Sequence, residues 1–163
     1  MIMATEPSDG RYDFDPLFGR WTVRHRRLRT RLTGARDWQD FDGSSHMQPL
    51  LGGLGNVEDS TIDMPGDPYC AVALRSFDPV TKLWAIWWLD GRHPHSVNVP
   101  VRGRFENGTG TFLCDDTFEG KPITVRFTWT NVGTDAPSWR QAFSADGGVN
   151  WELNWEMQFS RLA

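Results

Sequence analysis

Four kinds of side chain in this sequence could do chemistry, and their spacing limits what that chemistry is. His25 falls on the same face of an extended segment as Trp21 and Val23, so its imidazole can turn inward. There it acts either as a general acid or base near neutral pH or as a hydrogen-bonded core histidine. Arg75 lies between Ala73 and Phe77 on one strand face, which makes it an inward cation for a carboxylate or enolate, or an outward solvated charge. Glu58 shares a face with Ile62, and Asp90 ends the face of Trp84, Ile86 and Trp88. Gln141, between Trp139 and Phe143, is the best-placed polar group for the inside of an aromatic pocket. Trp88, Trp129 and Trp155 would supply the walls, since each indole brings a large apolar area and a single N–H donor.

Other combinations carry less. His93-Pro94-His95 falls in a loop at one end of the molecule, but no third ligand is near in sequence, so no metal site is expected. Asp115 and Asp116 are neighbours and so face opposite sides of a strand, and Glu152 and Glu156 read as outward, opposite a Trp face. A glycosidase pair of carboxylates is not supported. Ser144-Ala145-Asp146-Gly147-Gly148-Val149-Asn150-Trp151 fits the Asp-box pattern. One copy cannot build a propeller, so it reads as a folded hairpin turn. The chain has no nucleophile elbow, phosphate-binding loop or dinucleotide fingerprint. Its two cysteines, Cys70 and Cys114, read as buried thiols rather than a disulfide or zinc framework.

A formal charge of −4 argues against nucleic-acid binding, although Arg20, Arg24, Arg26, Arg27, Arg29, Arg31 and Arg36 crowd one segment. On a strand they fall on both faces, so some are solvated while others line a pocket or a partner surface. No stretch approaches the roughly 20 apolar residues of a membrane helix, and the start lacks signal-peptide character. A cytoplasmic protein without membrane association is the expectation. Nine Trp against two Tyr point to a Trp-rich core or cavity.

The elements that must position these residues are strands. Hydrophobic periodicity is two, and turn signals recur about every ten residues. Residues 1–12 read as a flexible tail, 13–163 as one domain, and Asp13 to Phe18 as a short helical turn. Strands are expected at Trp21 to Leu32, Trp38 to Leu50, Val57 to Ile62, Cys70 to Phe77 and Leu83 to Leu89. Five more follow at Val97 to Phe105, Thr109 to Asp115, Ile123 to Thr130, Trp139 to Ser144 and Trp151 to Phe159. Asn107-Gly108 suits a type I′ hairpin. About ten consecutive strands without crossover helices suit an all-β, antiparallel up-and-down barrel, with a sandwich as the alternative. Val97, Val99, Val101 and Phe105 form one inward face. So do Ile123, Val125, Phe127 and Trp129, and also Trp151, Leu153, Trp155, Met157 and Phe159. Leu83 to Leu89 is apolar on both faces, which calls for cover by the N-terminal segment or a second subunit. The reading leans toward a homodimer.

Phe18-Gly19-Arg20-Trp21, the bend Leu50-Leu51-Gly52-Gly53-Leu54-Gly55-Asn56, and Leu74-Arg75-Ser76-Phe77-Asp78-Pro79 with Trp84 form a familiar order. With Trp139-Arg140-Gln141-Ala142-Phe143-Ser144 and Asn154-Trp155, they resemble a bacterial domain-of-unknown-function family with calycin-like, lipocalin-type barrels. The resemblance runs from about Asp13 to Arg161. It implies a closed barrel of eight to ten strands with an internal cavity, and a Trp21 that closes one end. It implies no activity or cofactor.

The function expected is the binding of a small, largely hydrophobic or aromatic molecule, with His25, Glu58, Arg75, Asp90 and Gln141 as polar groups between Trp88, Trp129 and Trp155. The alternative is a cofactor-independent cyclase or isomerase in the same cavity with His25 as its catalytic group. A haem-binding barrel of the nitrobindin kind would need an inward histidine as axial ligand. No cofactor is expected.

Overall fold

The computed structural model describes residues 9–162. It contains ten antiparallel strands: β1 (Gly19–Leu28), β2 (Trp38–Leu50), β3 (Gly55–Ile62), β4 (Tyr69–Asp78) and β5 (Leu83–Asp90), followed by β6 (Val101–Glu106), β7 (Thr109–Phe118), β8 (Lys121–Thr130), β9 (Ser138–Ser144) and β10 (Glu152–Arg161). Each strand pairs with the next, and β1 also pairs with β10 from Trp21↔Arg161 to Arg27↔Trp155. The sheet is therefore a closed up-and-down barrel, not a sandwich. Closure gives every strand two neighbours, so the sheet has no edge strand. Among the described residues, no helix is long and apolar enough to cross a membrane.

Alternation decides which side chains enter the barrel. Along β1, Trp21, Val23 and His25 are buried, as is Leu28 at its end, while Arg20, Thr22, Arg24 and Arg26 are exposed. Asn107 and Gly108 take φ values of 52° and 81°, the two positive angles that a type I′ hairpin demands. The Asp box is a turn as expected. Asp146 Oδ1 accepts from the Val149 and Asn150 backbone N–H groups, Ser144 Oγ accepts from Gly148 N, and Trp151 Nε1 donates to Gly148 O.

One barrel end is plugged from within. The chain enters through a single 3₁₀ turn at Asp15–Leu17, and the fully buried ring of Phe14 meets Trp84 at 4.8 Å and Phe105 at 5.1 Å, edge to face. Trp21 closes the same end: its indole N–H donates to Leu17 O at 2.8 Å and Arg161 lies 4.1 Å over its ring. Of the expected tail 1–12, residues 1–8 lie outside the described residues. Residues 9–12 are fastened to the barrel, with Asp9 paired to Arg11 and Lys82 and Gly10 O accepting the Trp84 indole N–H.

Several strand ends differ from the sequence reading by a few residues, and three departures bear on the site. β1 stops at Leu28 rather than Leu32: after a last hairpin bond from Arg29 N–H to Asp37 O the chain turns, and Leu32 takes φ 59°. β6 begins at Val101 rather than Val97: Pro100 has no N–H for the ladder, and the β5–β6 pairing covers only Trp84↔Gly103, Ala85↔Arg102 and Ile86↔Val101, with a lone bridge at Leu89↔Val97. Val97 and Val99 are consequently exposed, not an inward face. On β10, Leu153 pairs with Ala142 and Trp155 with Gln141, so Asn154 is the extra residue of a bulge. Beyond it the alternation inverts. Leu153 becomes exposed, Trp151 is only half-buried beneath Arg126, and Glu152 takes the position opposite the buried Phe143. Glu152 then accepts from Leu32 N–H at 2.8 Å, whereas Glu156 stays outward beside Arg140.

The cysteines also differ from expectation. Cys70 is exposed because β4 turns its neighbours Tyr69 and Ala71 inward, and Cys114 is only partly buried. On β5, Trp84 and Ile86 are buried, and the outward Leu83, Ala85, Trp87 and Leu89 are half-buried beside β4.

Candidate functional site

At the end opposite Phe14 the barrel opens into a pocket of about 290 Å³. The alternation of four strands builds its apolar wall: Ile86 and Trp88 from β5, Val125 and Phe127 from β8, Trp139 and Phe143 from β9, and Trp155 from β10. The rings interlock at right angles. Trp139 meets Trp155 at 5.2 Å and 90°, Phe127 meets Trp139 at 5.0 Å and 72°, and Trp88 meets Trp155 at 5.9 Å and 88°. Such edge-to-face contacts hold aromatic walls rigid.

Gln141 stands within this wall. Its Nε2 donates to Oδ1 of Asn154 at 2.9 Å, so the residue inserted by the bulge orients the amide. Among the described residues, the Gln141 side chain has no other hydrogen-bond partner, and the buried Nδ2 of Asn154 has none. A polar group so placed in an apolar wall can fix a ligand's orientation.

His25 lies behind the wall, outside the set of residues that border the pocket. Its ring stacks on Phe41 at 4.8 Å, and its Nδ1 accepts the Trp155 indole N–H at 3.0 Å. That bond places the ring proton of the neutral form on Nε2. Burial, with the nearby Arg27 charge, pushes the imidazole down to about 4. Gly43 is required beside it, since a Cβ there would fall 2.8 Å from His25 Nε2 and 2.4 Å from Thr61 O.

Arg75 and Glu58 are both inward and both buried, deeper in the barrel. They form an ion pair through Arg75 Nη2 and Glu58 Oε1, and Arg75 Nη1 donates to Asn56 Oδ1 at 2.9 Å. Glu58 Oε2 accepts from Ser45 Oγ at 2.8 Å, and the guanidinium lies 4.8 Å from the Phe14 ring and 5.4 Å from that of Trp129. A void of about 20 Å³ borders this pair and Trp129, room for about one water. Ile86, Trp88, Phe127 and Trp139 line both spaces and so form the layer between them. Of the expected site residues, the structure brings Trp88, Asp90, Gln141 and Trp155 to the open pocket. It leaves Glu58, Arg75 and Trp129 in the deeper layer and His25 behind Trp155.

The rim is charged. Burial alone would raise the Asp90 carboxyl, but hydrogen bonds from Arg92 outweigh it and hold the group below its ordinary value. Arg92 also pairs with Asp67 and lies 3.6 Å over the Tyr69 ring. His93 borders the pocket and His95 does not. Cys114 borders it as well, its thiol pushed up to about 11 by burial and by Asp116 and Asp115, which disfavours the thiolate. Among the described residues, no three His, Cys, Asp or Glu side chains gather to hold a metal ion.

Sequence reasoning did not single out Arg27, Arg31 or Tyr69, all on the rim. Arg27 was discoverable by parity with Trp21, Val23 and His25. Arg31 lies past the end of β1, where alternation carries no information. Compared with known protein families and with curated proteins, the chain matches none.

Proposed function

We propose that the barrel binds a small, largely apolar or aromatic molecule in the open pocket, and that its architecture is of the calycin, lipocalin-like type. One observation carries the reading: a pocket of about 290 Å³ walled by Trp88, Trp139, Trp155, Phe127 and Phe143 holds an oriented amide, Gln141, within its aromatic wall. Ligand sites generally combine such apolar walls with few placed polar groups. Catalysis by His25 has less support, because Trp155 stands between the imidazole and the pocket and takes up Nδ1.

Titration with the neutral fluorophore N-phenyl-1-naphthylamine tests the proposal. Saturable binding at one site per chain, lost when Val125→Trp fills the pocket of a still-folded barrel, is the expected result. No saturable binding, or binding that Val125→Trp leaves intact, would overturn it.

A further inference from the structure

Two guanidinium groups at the pocket rim lack acidic partners. Arg27 enters on the inward face of β1 and lies 4.3 Å over the Trp155 ring, with Nη1 donating to the Tyr69 hydroxyl at 3.1 Å and meeting Met64 Sδ at 4.0 Å. Arg31 is carried over the same rim by the turn after β1, 5.3 Å from the Phe118 ring, and its buried Nε has no hydrogen-bond partner. Among the described residues neither forms an ion pair, although Arg24, Arg26, Arg29 and Arg92 all do.

The acids nearby have other hydrogen-bond partners, and Glu152 acts on Arg31 only through space, with no ion pair between them. Asp90 is held by Arg92, Glu152 accepts from Leu32 N–H, and Asp116 Oδ1 accepts from Thr117 N–H. Two unpaired cations facing one pocket repel each other at partly desolvated positions, an arrangement that an anion relieves. Burial and the neighbouring Arg27 charge already pull the Arg31 guanidinium down to about 10.

We propose that the ligand carries an oxyanion, such as a carboxylate or sulfonate, that sits between Arg27 and Arg31 while its apolar body occupies the pocket lined by Trp88, Trp139 and Trp155. Guanidinium groups suit this task because their planar N–H donors match two oxygens of an oxyanion at once. The cation–π contact orients Arg27 over Trp155, so the charge and the wall meet at one edge.

This inference rests on the small-molecule reading above, and a matched pair of probes separates the two. N-Phenyl-1-naphthylamine and 1-anilinonaphthalene-8-sulfonate share one aromatic body and differ by a sulfonate. The sulfonate should bind at least tenfold more tightly at low salt, and the ratio of affinities should fall to about one in Arg27→Gln/Arg31→Gln. Added salt should weaken the sulfonate selectively in the unaltered protein, a readout that needs no variant. Equal affinities for the two probes, or a ratio that survives both substitutions, would overturn the anion site and leave the binding reading standing. Failure of both probes would overturn both.

Discussion

The indole N–H of Trp155 donates to Nδ1 of His25 at 3.0 Å, so the pocket wall is tied to a buried imidazole through a nitrogen that must stay unprotonated. Protonation of Nδ1 would break that bond and place a charge between Phe41 and Trp155. The folded value near 4 lies below the ordinary 6.5, so the unfolded chain takes up the proton first. Stability is therefore complete above about pH 6.5 and is lost as pH falls toward 4, by about 3 kcal/mol. Urea unfolding of the wild type against His25→Gln, whose amide can still accept from Trp155, should show this loss only in the wild type. Parallel pH profiles for the two proteins would refute it.

The Arg75–Glu58 pair is buried, held by Asn56, Ser45, Ser60 and two aromatic rings and bordered by the small void, with Arg75 Nε left without a hydrogen-bond partner. A buried pair gains little over an apolar substitute, but breaking it leaves one charge stranded. Arg75→Met alone should cost about 3–5 kcal/mol. Arg75→Met with Glu58→Leu should recover much of that loss. Chemical unfolding of the three proteins measures it, and a double variant as unstable as the single one would show that the cost comes from shape rather than charge.

The barrel was legible because period-two alternation and turn residues are local signals, and most of its ten strands need nothing else. Three features escaped that pattern. Pro100 cancels the ladder start that Val97 and Val99 suggest, and the bulge at Asn154 inverts Glu152 and Leu153, as one extra residue inverts every facing before it. The depth of a side chain along the barrel axis also has no period in sequence. Alternation correctly turned Trp129 and Gln141 inward and left the facing of Arg75 and Glu58 open, and it could not tell that only Gln141 reaches the open end while the other three lie beyond a layer of rings. Arg31 reaches the rim through a turn, which alternation does not describe.

The Asp box makes a prediction about local rather than global order. Asp146 accepts from Val149 N–H, Asn150 N–H and the Asn150 side-chain amide, and these bonds, led by the Asn150 backbone N–H, hold its carboxyl down to about 2. Asp146→Ala removes both carboxylate oxygens, and with them these bonds and the one from Ser144 Oγ, at once. Amide hydrogen exchange at Val149 and Asn150 should speed up markedly in that variant, while amides in β1 and β7 keep their protection. The same acceleration should appear in the wild type only near pH 2, where the carboxylate is protonated.

Phe14 joins the plug to the charge in the core, since one ring fills the barrel end and also lies 4.8 Å from the Arg75 guanidinium. Its two contributions separate by substitution. Phe14→Ala leaves a cavity among Trp84, Phe105, Phe112 and Trp129 and removes the ring face from Arg75, which should cost about 3–5 kcal/mol. Phe14→Leu keeps most of the apolar volume but not the π face, so it should cost less. What remains of its loss belongs to the cation–π contact and the ring–ring geometry, about 1–2 kcal/mol. In an Arg75→Met/Glu58→Leu background the cation–π part has no partner, and the cost of Phe14→Leu should shrink. Denaturant unfolding of this double-mutant cycle measures that coupling. A cost of Phe14→Leu unchanged by removal of the charge would mean that the plug stabilises the barrel by packing alone.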